Sequence, residues 1–369
     1  MTPGTLEVVG HEVAGSGVSP DGLAAAVRLV RDRGTCAQLV VLRDGATVLD
    51  RAFGCAPDAL FYPFSASKAY TSVLVHRLAE RGVLDLDEPV AALWPRFARH
   101  GKGAVTVRQV LRHRSGFATA GDPLGEALSM THWDRMVHRL EGTRLRWAPG
   151  EVPAYQYLAY GFVLGEVVRR VTGRELPELL RDEVLAPLGV HDTFLGLPEA
   201  MWGRHVPVRA GAPGVIGVAA AVNRRATRAA IVPSAGVSMT AHDLAAFYAA
   251  LLSGATPAGS ALLAPATLAA AVRPTSDGEV DRFTRLPVRW GEGFQLGGPR
   301  SAAGPPSPMG TLSSPRTFGH NGSDCCIGWA DPDRGLVVAY LTDRLGPRRA
   351  AMAHLTAVAD AVLAACPAD

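Results

Sequence analysis

Lysine is almost missing from this chain. Of its 37 basic residues only Lys68 and Lys102 are lysine; the rest are arginine. A background that uses arginine wherever charge alone will serve keeps lysine where an amine is needed. Arginine holds its proton in a protein, whereas a desolvated lysine can give one up. Lys68 lies three residues after Ser65, while Lys102, between Gly101 and Gly103, reads as a solvated loop residue.

Other absences narrow the function further. No apolar run reaches membrane-spanning length. The opening Met1-Thr2-Pro3-Gly4-Thr5-Leu6-Glu7 lacks the basic and apolar regions of a secretory signal, so Met1 reads as the start of the mature chain and the cytoplasm as its place. The five cysteines are an odd number without paired spacing, which fits free thiols better than a disulfide framework. Basic blocks are absent and the net charge is only +3, which argues against a nucleic-acid partner. There is no His-Glu-x-x-His and the eleven histidines are scattered, so neither a metal nor another cofactor is expected. The missing Gly-x-Ser-x-Gly removes the usual sign of an α/β-hydrolase.

What is present is the composition of a globular protein, 48% hydrophobic and 19% charged, long enough for one large or two interleaved domains. Ser19-Pro20-Asp21 starts a helix that ends near Gly34, and Arg43-Asp44-Gly45 joins strand-like Ala37 to Leu42 and Thr47 to Phe53. Ser65 heads the next helix. Helical patterns dominate to about Leu252, with Thr106 and Thr240 as caps and Asp243 at the capping-box position. Strands return at Arg289 to Leu296, Phe318 to His320, Cys325 to Ala330 and Leu336 to Thr342, before a helix over Arg348 to Ala365. Pro207 to Pro233 and Pro274 to Pro315 read as long loops near a functional face. The pattern predicts an α+β fold: an antiparallel sheet from both termini, flanked by helices, with an inserted, mostly helical region. The expected division is residues 1–69 plus 286–369 against 70–285, with the active site between them.

Ser65-Ala66-Ser67-Lys68 puts a hydroxyl and an amine one turn apart on one face. The amine can take the serine proton once burial lowers its pKa, and the helix N-terminus favours an anion at the serine. A helix cap with an exposed lysine is the competing reading, and Ser67 is a rival cap. Tyr155, in Pro153-Ala154-Tyr155-Gln156-Tyr157, can act as a base if a nearby cation lowers its phenol; tyrosines at such spacing otherwise serve packing. In Gly319-His320-Asn321-Gly322-Ser323, an edge strand beside the nucleophile would let substrate approach Gly322 and aim the Ser323 N–H at the acyl oxygen. Cys325 and Cys326, placed on a strand, would face opposite sides, with one lining the pocket or both simply buried.

The order Ser-x-x-Lys, then Tyr, then a basic residue-x-Gly resembles the serine β-lactamase and penicillin-binding-protein superfamily, its class C-like branch above all. That branch includes family VIII carboxylesterases and transacylases. Leu111-Arg112-His113-Arg114-Ser115-Gly116, Pro187-Leu188-Gly189, Ser234 to Thr240 and Gly328 to Pro332 also resemble its segments, in order. The resemblance implies Ser65 as the nucleophile that becomes acylated, with Lys68 and Tyr155 sharing its proton. It implies an oxyanion hole from the backbone N–H groups of Ser65 and Ser323. It further places His320, Asn321, Gly322, Tyr157 and Asp324 near the substrate. Two departures stand out. The family's Tyr-x-Asn is Tyr155-Gln156-Tyr157, and its Lys-Thr-Gly is His320-Asn321-Gly322. Both remove contacts to a β-lactam, so hydrolysis of a small-molecule ester is expected ahead of β-lactamase or peptidase action, the partner being a small ester or amide substrate. Transfer of the acyl group to an amine or alcohol is the alternative, and a catalytically silent binding protein on the same fold is the third.

Overall fold

The structure is a computed structural model that describes residues 17–298 and 307–368. Met1 to Glu7 and part of the Pro274 to Pro315 segment lie outside the described residues.

The principal elements are α1 (Pro20–Asp32), β1 (Ala37–Arg43), β2 (Ala46–Phe53), α2 (Lys68–Glu80), α3 (Ala159–Thr172), α4 (Ala241–Ser253), β3 (Gln295–Leu296), β4 (Phe318–Gly322), β5 (Cys326–Asp331), β6 (Leu336–Thr342) and α5 (Arg348–Ala365). The six strands form one sheet in the order β2-β1-β6-β5-β4-β3, every neighbouring pair antiparallel. Strands from both ends of the chain therefore meet in the middle of the sheet, and the fold is α+β as the pattern predicts.

Period-two alternation divides the sheet between two cores. Leu39, Val41, Val338 and Tyr340 face α1 and α5, while Val40, Val337, Ala339 and Leu341 join the core on the opposite side. With both faces covered, the strands read as continuous apolar runs. The Ser19 hydroxyl caps α1 by accepting from Gly22 N–H at 3.3 Å, and Leu23, Ala26 and Val30 form its buried stripe. Asp44 (φ 49°) and Gly45 (φ 80°) turn the β1–β2 hairpin in the left-handed region that Asp-Gly favours. On the other face α4, although it falls within 70–285, packs directly on the sheet. A methyl group added at Gly328 of β5 would meet Tyr248 at 2.5 Å and Leu244 at 2.8 Å.

Four local readings change. The strand expected over Arg289 to Leu296 shrinks to Gln295–Leu296, because Gly291-Glu292-Gly293 bends the chain, with Gly293 at φ 88°. The segment Pro207 to Pro233 is not a bare loop but holds short helices at Ile216–Val222 and Arg225–Ala229. Thr240 caps α4 as expected, but the Asp243 carboxylate reaches away to Asp192 N–H and the Thr193 hydroxyl rather than closing a capping box. Lys102 is buried, not solvated: its ammonium donates to the carbonyls of Arg99 (2.8 Å), Glu141 (3.1 Å) and Thr143 (2.5 Å). It ties off the C-terminal end of the helix Trp133–Gly142, where free carbonyls need donors.

Candidate active site

Ser65 sits in a tight 3₁₀ turn, Phe64–Ser67, that runs into α2, of which Lys68 is the first residue. In such a turn residues i and i+3 eclipse, so the two side chains meet. Lys68 Nζ lies 3.2 Å from Ser65 Oγ and donates to Ser234 C=O at 3.3 Å. Lys68 is fully buried, and burial lowers its amine from the ordinary 10.5 to about 7, the Glu126 carboxyl pulling it partly back up. The rival Ser67 occupies the N-cap position of α2 but makes no capping bond with its side chain; its hydroxyl accepts from Val237 N–H at 3.1 Å.

The turn is wedged against β4. A methyl group at Gly322 would stand 1.8 Å from the Pro63 carbonyl oxygen and 3.1 Å from Ala66 N. The backbone of the Ser65 turn thus leaves no room for a side chain at this position. Phe64, at φ 51°, occupies the left-handed region in the same turn, a costly conformation for an aromatic residue beside a reactive one.

Tyr155 approaches from the helical side and donates its phenol to Ser65 Oγ at 2.6 Å. Its segment is stitched down by Ala154 N–H to His113 C=O at 2.8 Å, Gln156 N–H to His113 Nδ1 at 3.2 Å and Tyr157 N–H to Ala118 C=O at 3.0 Å. Burial pushes the Tyr155 phenol above its ordinary value, only partly opposed by the hydrogen bond to Ser65. Burial thus moves the two groups in opposite directions, the Tyr155 phenol up and the Lys68 amine down.

The residues around β4 take unequal places. His320 is buried, and its Nδ1 bonds the Asn321 carbonyl at 2.8 Å, so that nitrogen carries the ring proton. Burial, with Lys68 adding repulsion, holds the imidazole down at about 3, so His320 stays neutral. Asn321 and Asp324 turn to each other instead of into open space: Asn321 Nδ2 donates to Asp324 Oδ1 at 2.5 Å, and Asp324 N–H donates to Asn321 Oδ1 at 3.1 Å. Together they lock the turn in which Ser323 (φ 48°) and Asp324 (φ 56°) are both left-handed, which fixes the direction of the exposed Ser323. Tyr157 is half-buried and stacks on Phe283 with ring centres 6.1 Å apart. Cys325 and Cys326 do not face opposite sides. Cys325 precedes β5, and the two buried sulfurs lie 3.8 Å apart.

Three side chains around Tyr155 and Lys68 have no role in the sequence reading. His113, inside a segment read only as a family marker, packs its ring on Tyr155 (4.8 Å), Tyr160 (4.8 Å) and Trp290 (4.6 Å). Burial drives its pKa well below the ordinary value. Glu126 is fully buried and accepts from Ala120 N–H (2.6 Å), Leu158 N–H (3.1 Å) and Ala159 N–H (3.1 Å), so it caps α3. Burial raises its carboxyl to about 7. Trp290 lies parallel to the Tyr155 ring, 5.2 Å between centres and 12° between planes.

An α+β fold whose Ser-x-x-Lys turn is pinned to a strand of an antiparallel sheet, with a tyrosine bonded to the serine, defines the architecture of serine β-lactamases and penicillin-binding proteins. The chain belongs to the Beta-lactamase family, which it matches over residues 25–363. It is 30% identical over 347 residues to the esterase/beta-lactamase LipL of Mycobacterium tuberculosis, covering 83% of this chain and 76% of that protein. Against esterase EstB of Burkholderia gladioli the identity is 31% over 353 residues, covering 82% and 84%. A solved family VIII carboxylesterase superimposes with a TM-score of 0.78 at 25% identity, over 95% of this chain and 99% of that one.

Proposed function

We propose that this protein is a serine hydrolase that opens small-molecule esters through a covalent acyl–Ser65 intermediate. One observation carries the reading: Ser65 Oγ is shared by a fully buried Lys68 amine held near pH 7 and by a neutral Tyr155 phenol. The free amine of Lys68 takes the Ser65 proton as Oγ attacks the ester carbonyl. The backbone N–H groups of Ser65 and Ser323 receive the oxyanion, each contributing about 3 kcal/mol to the transition state. Tyr155 then protonates the departing alcohol and recovers a proton from the Lys68 ammonium, whose nitrogen lies 4.7 Å from the phenol ring centre. Water, activated by the same amine, resolves the acyl-enzyme.

The names of the esterase relatives support this reading, and so does the neutral His320, which offers no fixed cation to a substrate carboxylate. His320, Asn321, Gly322, Tyr157 and Asp324 belong to the proposal as residues that shape or border the substrate site. The five free cysteines suit a cytoplasmic location, which is part of the same proposal. The test is reaction with an alkyl phosphonate p-nitrophenyl ester followed by peptide mass spectrometry. The label is expected on Ser65 and lost in Ser65→Ala; undiminished labelling of that variant overturns the reading. Product analysis with a panel of amines and alcohols separates hydrolysis from acyl transfer, which shares every step up to the attack on the acyl-enzyme.

A further inference from the structure

Asp281 lies in a segment rich in Gly, Pro and Arg that carries no recognisable motif, yet its side chain is fully buried. Its carboxylate takes four N–H groups. Oδ2 accepts from the Tyr155 backbone at 2.8 Å and from the Trp290 indole at 3.2 Å, while Oδ1 accepts from Phe283 N–H at 2.9 Å and Thr284 N–H at 2.7 Å. All four donors are neutral. Taking a carboxylate out of water without a cation is expensive, and four charge-assisted bonds offset that cost only when every donor is held in place. The adjacent Arg282 N–H adds a 2.9 Å bond to the Pro153 carbonyl, so the two segments are laced together on both sides of Ala154, immediately before the Tyr155 side chain.

Asp281 consequently fixes two things at once: the backbone that carries Tyr155, and the indole whose ring centre lies 5.2 Å from that of Tyr155 with 12° between the planes. A tyrosine held at its N–H and along its ring face has little freedom left in the direction of its phenol. That phenol sits 2.6 Å from Ser65 Oγ.

We propose that Asp281, together with the Trp290 indole it orients, is a positioning residue that aims the Tyr155 phenol at the leaving group. The inference rests on the Ser65 acyl-enzyme reading. In the step concerned, the bond between the acyl carbon and the leaving oxygen breaks, its electron pair stays on that oxygen, and the oxygen takes the Tyr155 proton. The Lys68 ammonium returns a proton to the phenol. An ethoxide leaving group needs that proton; a p-nitrophenolate does not. Misaiming of Tyr155 therefore shows as a loss that depends on the leaving group, which general loosening of the fold does not produce.

The experiment compares ethyl butyrate and p-nitrophenyl butyrate as substrates for the wild type, Ser65→Ala, Tyr155→Phe, Asp281→Asn, Trp290→Phe and the double variant Tyr155→Phe/Asp281→Asn. Asp281→Asn is expected to lose at least tenfold more kcat on the ethyl ester than on the p-nitrophenyl ester, with KM changed by less than threefold. The double variant should match Tyr155→Phe within threefold, because a residue acting through Tyr155 has nothing left to position. Equal losses on both esters, or a full Asp281 effect repeated in the Tyr155→Phe background, overturn the proposal. If Asp281→Asn does not fold, Trp290→Phe, alone and in the Tyr155→Phe background, decides by the same two readings, since it keeps an aromatic ring beside Tyr155 while removing the fused ring and the indole N–H that Asp281 holds. Turnover by Ser65→Ala equal to the wild type would bring down the acyl-enzyme reading and this inference with it. A leaving-group-blind loss in an enzyme that depends on Ser65 removes only the role of Asp281.

Discussion

Gly322 and Pro63 touch through their backbones: the space a Cβ would need at Gly322 is taken by the Pro63 carbonyl oxygen, 1.8 Å away. This contact seats the Ser65 turn on β4. Gly322→Ala is therefore expected to cut kcat at least a hundredfold by displacing Ser65, and to cost on the order of 1–3 kcal/mol of stability through overpacking. Steady-state kinetics and a denaturant melt measure the two effects, and near-normal kcat would show that the turn can shift without harm.

Lys68→Arg keeps the charge and loses the titratable amine. Because arginine cannot give up its proton, turnover is expected to fall at least a thousandfold; Tm should fall as well, since a larger and permanently charged group enters a fully buried site. Activity within tenfold of the wild type would remove Lys68 as the base.

The pH dependence follows from the same amine. Burial lowers its pKa to about 7, so kcat should rise with pH through that value as the amine is freed. Glu126 is the acid that raises Lys68, and its own carboxyl sits at about 7, so the limb belongs to the pair. Glu126→Gln removes the negative charge and should move the limb to lower pH. A shift to higher pH, read from pH–rate profiles, would contradict the assignment.

Lys68 also bears on stability. Its folded pKa is depressed from 10.5 to about 7, so between those values the unfolded chain binds more protons and folding becomes more favourable as pH rises. At pH 7 Lys68→Met should melt at a higher temperature than the wild type, the gap closing toward pH 10. Melting curves across that range check the sign.

Lys102→Arg should cost stability without touching turnover. Three carbonyls converge on the Lys102 ammonium, a geometry that suits a compact point donor better than a planar fork. The variant is expected to lose about 1–3 kcal/mol of stability while kcat stays within twofold.

Ser65 and Lys68 were legible because a three-residue spacing stood out against a nearly lysine-free background. The sheet was legible too, since β1 and β6 are short continuous apolar runs bounded by clear turn residues. Lys102 was misread because flanking glycines mark a loop, while its burial depends on a helix end near Glu141 and Thr143 that local sequence does not reveal. The helices at Ile216–Val222 and Arg225–Ala229 are too short to show a period. Asp281 left no signal at all. It acts on a backbone N–H and an indole supplied by distant segments, and an aspartate in a loop looks the same whether or not it does so.

The order β2-β1-β6 has a consequence for the chain while it is being made. β1 pairs with β2 almost at once, yet its other edge waits for Leu336 to Thr342, which a ribosome releases only near the end of synthesis. Until then the nascent hairpin presents an open row of backbone donors and acceptors flanked by valine and leucine, a template for pairing with another chain. Yield on overexpression should therefore depend on slow translation or on chaperones that cover β1, long before the question of catalysis arises.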